Sequence, residues 1–399
     1  MANGIGGSTA AAELAAIKPW DKPAPRITRD EREARIDAAR ALMHKAGTQA
    51  LLIGAGASLD YFTGIPWGPS ERLVAMLLPP RGLPVIICPE FERGSLDAVL
   101  DIAAEVRTWE EHESPYVLVA HALGQTGSSV VSIDPQLPFV MVDRLRHAVT
   151  GLRAIDASPI VDGCRRIKSP AELALMRQAK LMTLEVQRRA AAILRPGITA
   201  TEVRSFINDA HRAIGASGSS FTIVQFGRST AFPHGLPGES VLAEGDMVLI
   251  DTGCLVAGYN SDITRSYVFG EPSADQRRIW DIERAAQQAA FDAVRPGVAC
   301  EAIDWAARHV IERAGLGPDY RLPGLPHRTG HGIGLSIHEA PYLVRGDMTL
   351  LEPGMCFSNE PMIVIPDRFG VRLEDHFFVT ANGAEWFTSR SVAVDKPFS

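Results

Sequence analysis

Between residues 30 and 110 the spacing of apolar positions changes period several times. DEREARIDAARALMHKAG (30–47) repeats at helical steps, and QALLI (49–53), RLVAMLL (72–78) and PVIIC (84–88) are short continuous apolar runs of the buried-strand kind. SLDAVLDIAAEV (95–106) returns to the helical period. This alternation predicts an α/β layer. GAGAS (54–58) lacks the third glycine of a dinucleotide-binding turn, so it and the following Leu59–Gly64 read as turn.

The pattern changes at CRRIKSPAEL. Ser169 can cap a helix, Pro170 suits its first turn, and Glu172 completes a reciprocal capping box. Behind it Leu175, Ala179, Met182, Val186, Ala190 and Ile193 form one apolar face. Thr199 with Glu202 and Ser273 with Gln276 open two further helices in the same way. Between and after the helices lie strand-like runs, FTIVQ, MVLIDTG, ITRSYVF, MCFSNEPMIVI and GVRLEDHFFV, mostly in hairpin arrangement. Grouped helices with hairpins predict an α+β second domain, and the helix-helix-strand blocks on either side of residue 272 look loosely alike. The expected division is a flexible segment 1–26, an α/β domain 27–164 and an α+β domain 165–399.

Composition narrows the function. A chain of 399 residues is too long for one ordinary core and suits two. The formal charge of −7, from 40 Lys and Arg against 47 Asp and Glu, gives no general attraction to nucleic acid or an anionic membrane, so a small-molecule partner is expected. Five scattered cysteines without a CxxC spacing argue against a disulfide framework or thiolate zinc site, and fit a reducing cytoplasm. The leading MANGIGGSTAAAELAAIKPWDKPAPR has no basic start followed by an apolar block.

Four acids interrupt the apolar strands. Asp251 closes one strand and Asp262 opens the next, while Glu360 and Glu374 sit inside two later ones. Burying carboxylates together is costly unless a cation or proton compensates. HRTGHGIGLSIHEAP adds His327, His331 and His338 in one short segment, and the spacing alone does not say which of them is a ligand. Four carboxylates and one imidazole suit two hard or borderline divalent ions, which makes hydrolysis the leading chemistry.

The ordered set DTG with a second Asp eleven residues on, GHGIG, NEP and RLED resembles that of the pita-bread metallopeptidases, the family of methionine aminopeptidase, prolidase, Xaa-Pro aminopeptidase and metal-free creatinase. The resemblance covers nearly the whole chain and is strongest to the bacterial Xaa-Pro dipeptidase branch. It implies a creatinase-like α/β N-terminal domain before an α+β pita-bread catalytic domain. Position by position, it implies that Asp251 chelates one metal, His331 binds the other, Asp262 and Glu374 bridge them, and Glu360 binds the histidine-side metal and shuttles the proton. Gly330 and Gly332 would let the backbone approach His331 closely. His338 would contact the substrate carbonyl, His327 and Arg372 the substrate carboxylate, and His234 would line the pocket. Two divalent ions per subunit are implied, Mn(II) first and Co, Zn or Fe as alternatives, in a homodimer.

The N-terminal domain argues against ordinary methionine aminopeptidase, and the complete ligand set against creatinase and against a non-catalytic peptide-binding scaffold. Cleavage of Xaa-Pro dipeptides is therefore the expected activity. Xaa-Pro aminopeptidase action on longer peptides, or turnover of a small non-peptide solute, are the alternatives. One departure stands out: where the branch reads NEPGxY, this chain has Met362 and Val364, so the usual active-site tyrosine hydroxyl is missing.

Overall fold

The structure, a computed structural model, describes residues 4–127 and 130–398. It forms two compact units, Ile27–Arg165 and Met1–Arg26 together with Arg166–Ser399.

In the first unit the apolar runs become a six-stranded mixed sheet. Its order is Glu105–Trp109, Val85–Pro89, Ala75–Leu78, Leu51–Gly54, Val130–Ile133, Arg153–Asp156. The three central strands pair antiparallel and the outer pairings are parallel. Helices Pro115–Thr126 and Phe139–Ala148 supply Tyr116, Val119, Leu123, Met141 and Leu145 to its core. Two local expectations are corrected here. Helix over 95–106 stops at Asp97, because Glu105–Trp109 pairs with Val85–Pro89 and sheet pairing overrides local helical preference. The stretch read as turn after Gly56 is instead helix Ala57–Thr63, which packs Leu59, Tyr61 and Phe62 inward and ends on a left-handed Gly64.

In the second unit all three capping boxes form, opening helices Pro170–Ala192, Ala200–Ile214 and Ala274–Ala293. A fourth helix, Cys300–Arg313, follows the third. The first helix pair packs against a three-stranded antiparallel sheet in which Met247–Gly253 lies between Phe221–Phe226 and Ile263–Val268. The second pair packs against a five-stranded sheet ordered Glu339–Leu343, Gly330–Gly332, Cys356–Asn359, Asp375–Val379, Ala384–Trp386, and against the hairpin Met362–Ile365/Phe369–Arg372. Two hydrophobic clusters, one built from residues before 272 and the other mainly from residues after it, with Ala231, Met247 and Val268 added, match the blocks that looked alike in sequence.

Residues 4–26 are not loose, contrary to expectation. Helices Pro170–Ala192 and Ala200–Ile214 end with carbonyls that have no intrahelical partner. The leading segment supplies donors to them: Gly6 and Ser8 N–H to Ala191 and Ala192 O (2.8 and 3.0 Å), Trp20 N–H to Ile214 O (2.9 Å). Ile5 and Ile17 join the same cluster as these helices, and Arg189 pairs with Glu13 at 3.0 Å. The segment is rich in Ala and Gly and its anchors are long-range, so no local periodicity announces them. Among the described residues no helix is long and apolar enough to cross a membrane, and all five cysteines are free and buried.

Candidate metal centre

Asp251 reaches the centre from within a strand and the other three acids from strand ends. Asp251 lies in the fully buried strand Met247–Gly253, and Asp262 immediately precedes its antiparallel neighbour Ile263–Val268. Gly253 is required between them, since a side chain there would run into the Ser261 carbonyl. Glu360 follows strand Cys356–Asn359, its N–H donating to Thr329 O (2.8 Å), and Glu374 precedes Asp375–Val379, its N–H donating to Thr264 O (3.1 Å). His331 is the middle residue of Gly330–Gly332, at a register shift in the pairing with Glu339–Leu343. A Cβ at Gly330 would strike the Ser358 carbonyl and one at Gly332 the Glu339 carbonyl, so both glycines let neighbouring strands close around the histidine.

The second contacts fix tautomer and orientation. His331 Nδ1 donates to Gly332 O (2.9 Å), which leaves Nε2 as the lone-pair nitrogen facing Glu360 Oε1 at 3.1 Å and Asp262 Oδ2 at 3.7 Å. Ser358 accepts from His331 N–H (2.9 Å) and donates to Glu360 Oε1 (3.1 Å). Thr264 Oγ1 donates to Glu374 Oε2 (2.8 Å).

Electrostatics show what is missing from this arrangement. Burial raises the Asp251 carboxyl above its ordinary range although Arg372 opposes it. Burial and then the surrounding carboxylates push Asp262 and Glu374 well above theirs. Burial acts the same way on Glu360; only a protonated His331 beside it, helped by His327 and Arg372, brings that carboxyl down to about 2, a state that excludes His331 Nε2 from holding a cation. The protein alone cannot keep the whole set charged. Asp251 Oδ1, Glu374 Oε1 and His331 Nε2 are buried without a hydrogen-bond partner among the described residues. Groups in that condition are rare unless something else binds them. Carboxylate and imidazole donors with open lone pairs fit divalent cations, and the donor atoms of His331, Glu360 and Glu374 all lie within 4.8 Å of one another.

Above the acids opens a cleft of about 510 Å³, within the roughly 300–1,000 Å³ usual for small-ligand sites. Of the nine residues singled out by sequence, Asp251, Asp262, Glu360, Glu374, His234, His327, His338 and Arg372 line it. His331 touches the His338 ring edge-on, with centroids 4.1 Å apart. His338 and His234 are exposed at the cleft mouth; the cleft walls still desolvate part of the His338 ring, and this, followed by His331, lowers its pKa to about 4. His327 keeps Nδ1 on Arg328 O (2.6 Å) and has a buried, unpartnered Nε2. Arg372 is placed differently from the expected substrate-carboxylate holder: its guanidinium binds Asp251 Oδ2 (2.5 Å) and Thr264 Oγ1 (3.0 Å). Sequence reasoning missed Arg328, which lines the same cleft with its guanidinium 4.4 Å from the Tyr342 ring centroid and no carboxylate within ion-pair distance among the described residues. The signal was an arginine between two site histidines. Val364, at the tyrosine position, is buried in the apolar cluster with Leu325, Met362 and Phe369, so packing fills the place of the absent hydroxyl.

Carboxylates and one imidazole converging from paired antiparallel strands define a site of the metallopeptidase class. Metallopeptidase family M24 matches residues 174–381, and the creatinase/prolidase N-terminal domain matches residues 35–167. The chain is 38% identical over 354 residues to the probable dipeptidase PepE of Mycobacterium tuberculosis, which covers 88% of this chain and 92% of that one. The crystal structure of dipeptidase PepE from Mycobacterium ulcerans gives a TM-score of 0.84 at 37% identity, covering 92% of this chain and 98% of that one. The Xaa-Pro dipeptidase from Bacillus anthracis gives 0.81 at 29% identity, covering 90% and 98%. This chain belongs to metallopeptidase family M24, with a creatinase-like N-terminal domain and a pita-bread catalytic domain.

Proposed function

We propose that the chain is an Xaa-Pro dipeptidase that works with two divalent metal ions held by Asp251, Asp262, His331, Glu360 and Glu374. The observation that carries this reading is the buried donor set with unpartnered Asp251 Oδ1, Glu374 Oε1 and His331 Nε2 at the floor of a cleft of small-ligand size. Its relatives, dipeptidases and an Xaa-Pro dipeptidase, support the substrate class. Bound ions would supply Lewis acidity and make water a nucleophile near neutral pH.

The chain's own residues do the rest. Glu360, which stands 3.1 Å from His331 Nε2 on the floor of the cleft, accepts the proton of the attacking water and delivers it to the leaving prolyl nitrogen. His338 stands over His331 where an imidazole N–H can donate to the carbonyl oxygen as negative charge develops. Phe221, Ile223, Pro233 and Ile337 give the cleft an apolar wall for the prolyl ring, which has no N–H to satisfy. Arg328 is the cation for the substrate's terminal carboxylate, because Arg372 is engaged with Asp251. Manganese is the proposed metal. The test is release of free proline from Xaa-Pro dipeptides and Xaa-Pro-Yaa tripeptides by metal-stripped protein, with and without Mn(II). Metal-dependent dipeptide cleavage is expected; cleavage of tripeptides instead would make it an aminopeptidase, and cleavage of neither would overturn the reading.

A further inference from the structure

His376 lies in strand Asp375–Val379, two residues after Glu374, which immediately precedes the strand; its Nε2 turns toward Glu374, while Asp375 between them pairs with Arg265 at 2.7 Å. It is 1% exposed, and neither ring nitrogen has a hydrogen-bond partner among the described residues. A structural histidine at comparable depth looks different: His211 has one ring nitrogen 3.1 Å from Thr183 Oγ1 and the other 2.8 Å from Ser219 Oγ. Lys180, whose charge is felt at His376, directs its ammonium to Asn260 O (3.0 Å) and makes no hydrogen bond to the ring. His376 Nε2 lies 3.8 Å from Glu374 Oε1, itself unpartnered. That separation is too long for a hydrogen bond. It suits two donors of one ion, since with bonds of about 2.1 Å two ligands stand at most about 4.2 Å apart. Donor atoms of Asp262, Glu374 and His376 all lie within 4.8 Å of one another.

We infer that His376 is a further protein ligand of the metal centre, joining one of the ions that Asp262 and Glu374 would hold. This rests on the two-metal reading above and extends it. It accounts for Nε2 and for Glu374 Oε1 together, and adds a second imidazole to a centre otherwise rich in carboxylate.

The experiment is X-ray absorption on the full chain loaded with zinc, counting imidazole scatterers against zinc determined by mass spectrometry. The expected result is two imidazoles per chain, from His331 and His376, falling by half in His376→Gln. A count of one in the unmutated protein, or an unchanged count in His376→Gln, overturns the inference. Should His376→Gln fail to fold, His338→Gln decides: a count still at two supports His376, and a fall to one assigns the second imidazole to His338 and overturns it. Absence of bound zinc in the unmutated protein would instead sink the metal-centre reading itself, which separates the two failures.

Discussion

Single residues carry the chemistry through what they are denied as much as through what they contact. Burial and the neighbouring carboxylates push Asp262 and Glu374 up, so the acids of the centre stay charged together only with cations among them. Removing the charge of Glu360 but keeping its shape, in Glu360→Gln, should lower kcat by about 10²–10⁴ while metal content falls by far less. His331→Ala should lose both together; metal analysis beside steady-state kinetics separates the two patterns, and full activity in either variant would remove the site assignment. Arg328→Met tests the carboxylate contact. KM for a dipeptide with a free carboxylate should rise by about ten- to a hundredfold, equivalent to roughly 1.4–2.7 kcal/mol, with the C-terminal amide unaffected. Equal losses on both substrates would exclude Arg328 from that role. Outside the lining of the cleft, burial lowers the His211 pKa to about 4. Its unfolded value is about 6.5, so its neutral, hydrogen-bonded state contributes stability that is complete above that pH and lost as pH falls toward the folded value. The contribution is about 3 kcal/mol, and His211→Gln should flatten urea-melt stability between pH 6.5 and 4 relative to the unmutated chain.

Elements place those residues by closing strands on one another. Gly330→Ala puts a methyl into the Ser358 carbonyl, and the strand carrying His331 must shift. Overpacking of this kind costs about 1–3 kcal/mol. Lower Tm together with weaker zinc binding is expected; a lower Tm with unchanged zinc affinity would mean that the glycine serves packing alone. The same elements show what a sequence displays. Capping boxes at Ser169, Thr199 and Ser273 were legible because their partners are three residues away. The acids were legible because carboxylates within apolar runs are conspicuous, although Glu360 and Glu374 lie between strands and not inside them, and the glycines beside His331 because GHG is a contiguous signal. Contacts across long separations were not. Arg372 pairs with Asp251 across 121 positions, and the leading segment seats on carbonyls of Ala191 and Ile214. His376 was passed over because a histidine inside GVRLEDHFFV reads as an ordinary half-polar strand position until both its ring nitrogens are seen to be unpartnered.

At the scale of the whole molecule the metal centre makes stability depend on what is bound. Three acids with raised pKa values sit in the core of the second unit, and the sign follows from that direction. Without metal, their protonated forms favour the folded state below the ordinary carboxylate range, and that contribution is lost as pH rises through the folded values. Cations reverse the balance, because they bind deprotonated ligands and displace the protons. Binding then stabilises by an amount that grows with ligand concentration over Kd, about 2.7 kcal/mol at a hundredfold excess over Kd. The difference in Tm between manganese-loaded and metal-stripped chain should therefore widen from pH 5 to pH 8 by several degrees. His211 is present in both forms and cancels in the difference, so the widening reports on the centre itself. A Tm difference that stays flat across this range would mean that the acids do not exchange protons for metal, and the buried set would need another explanation.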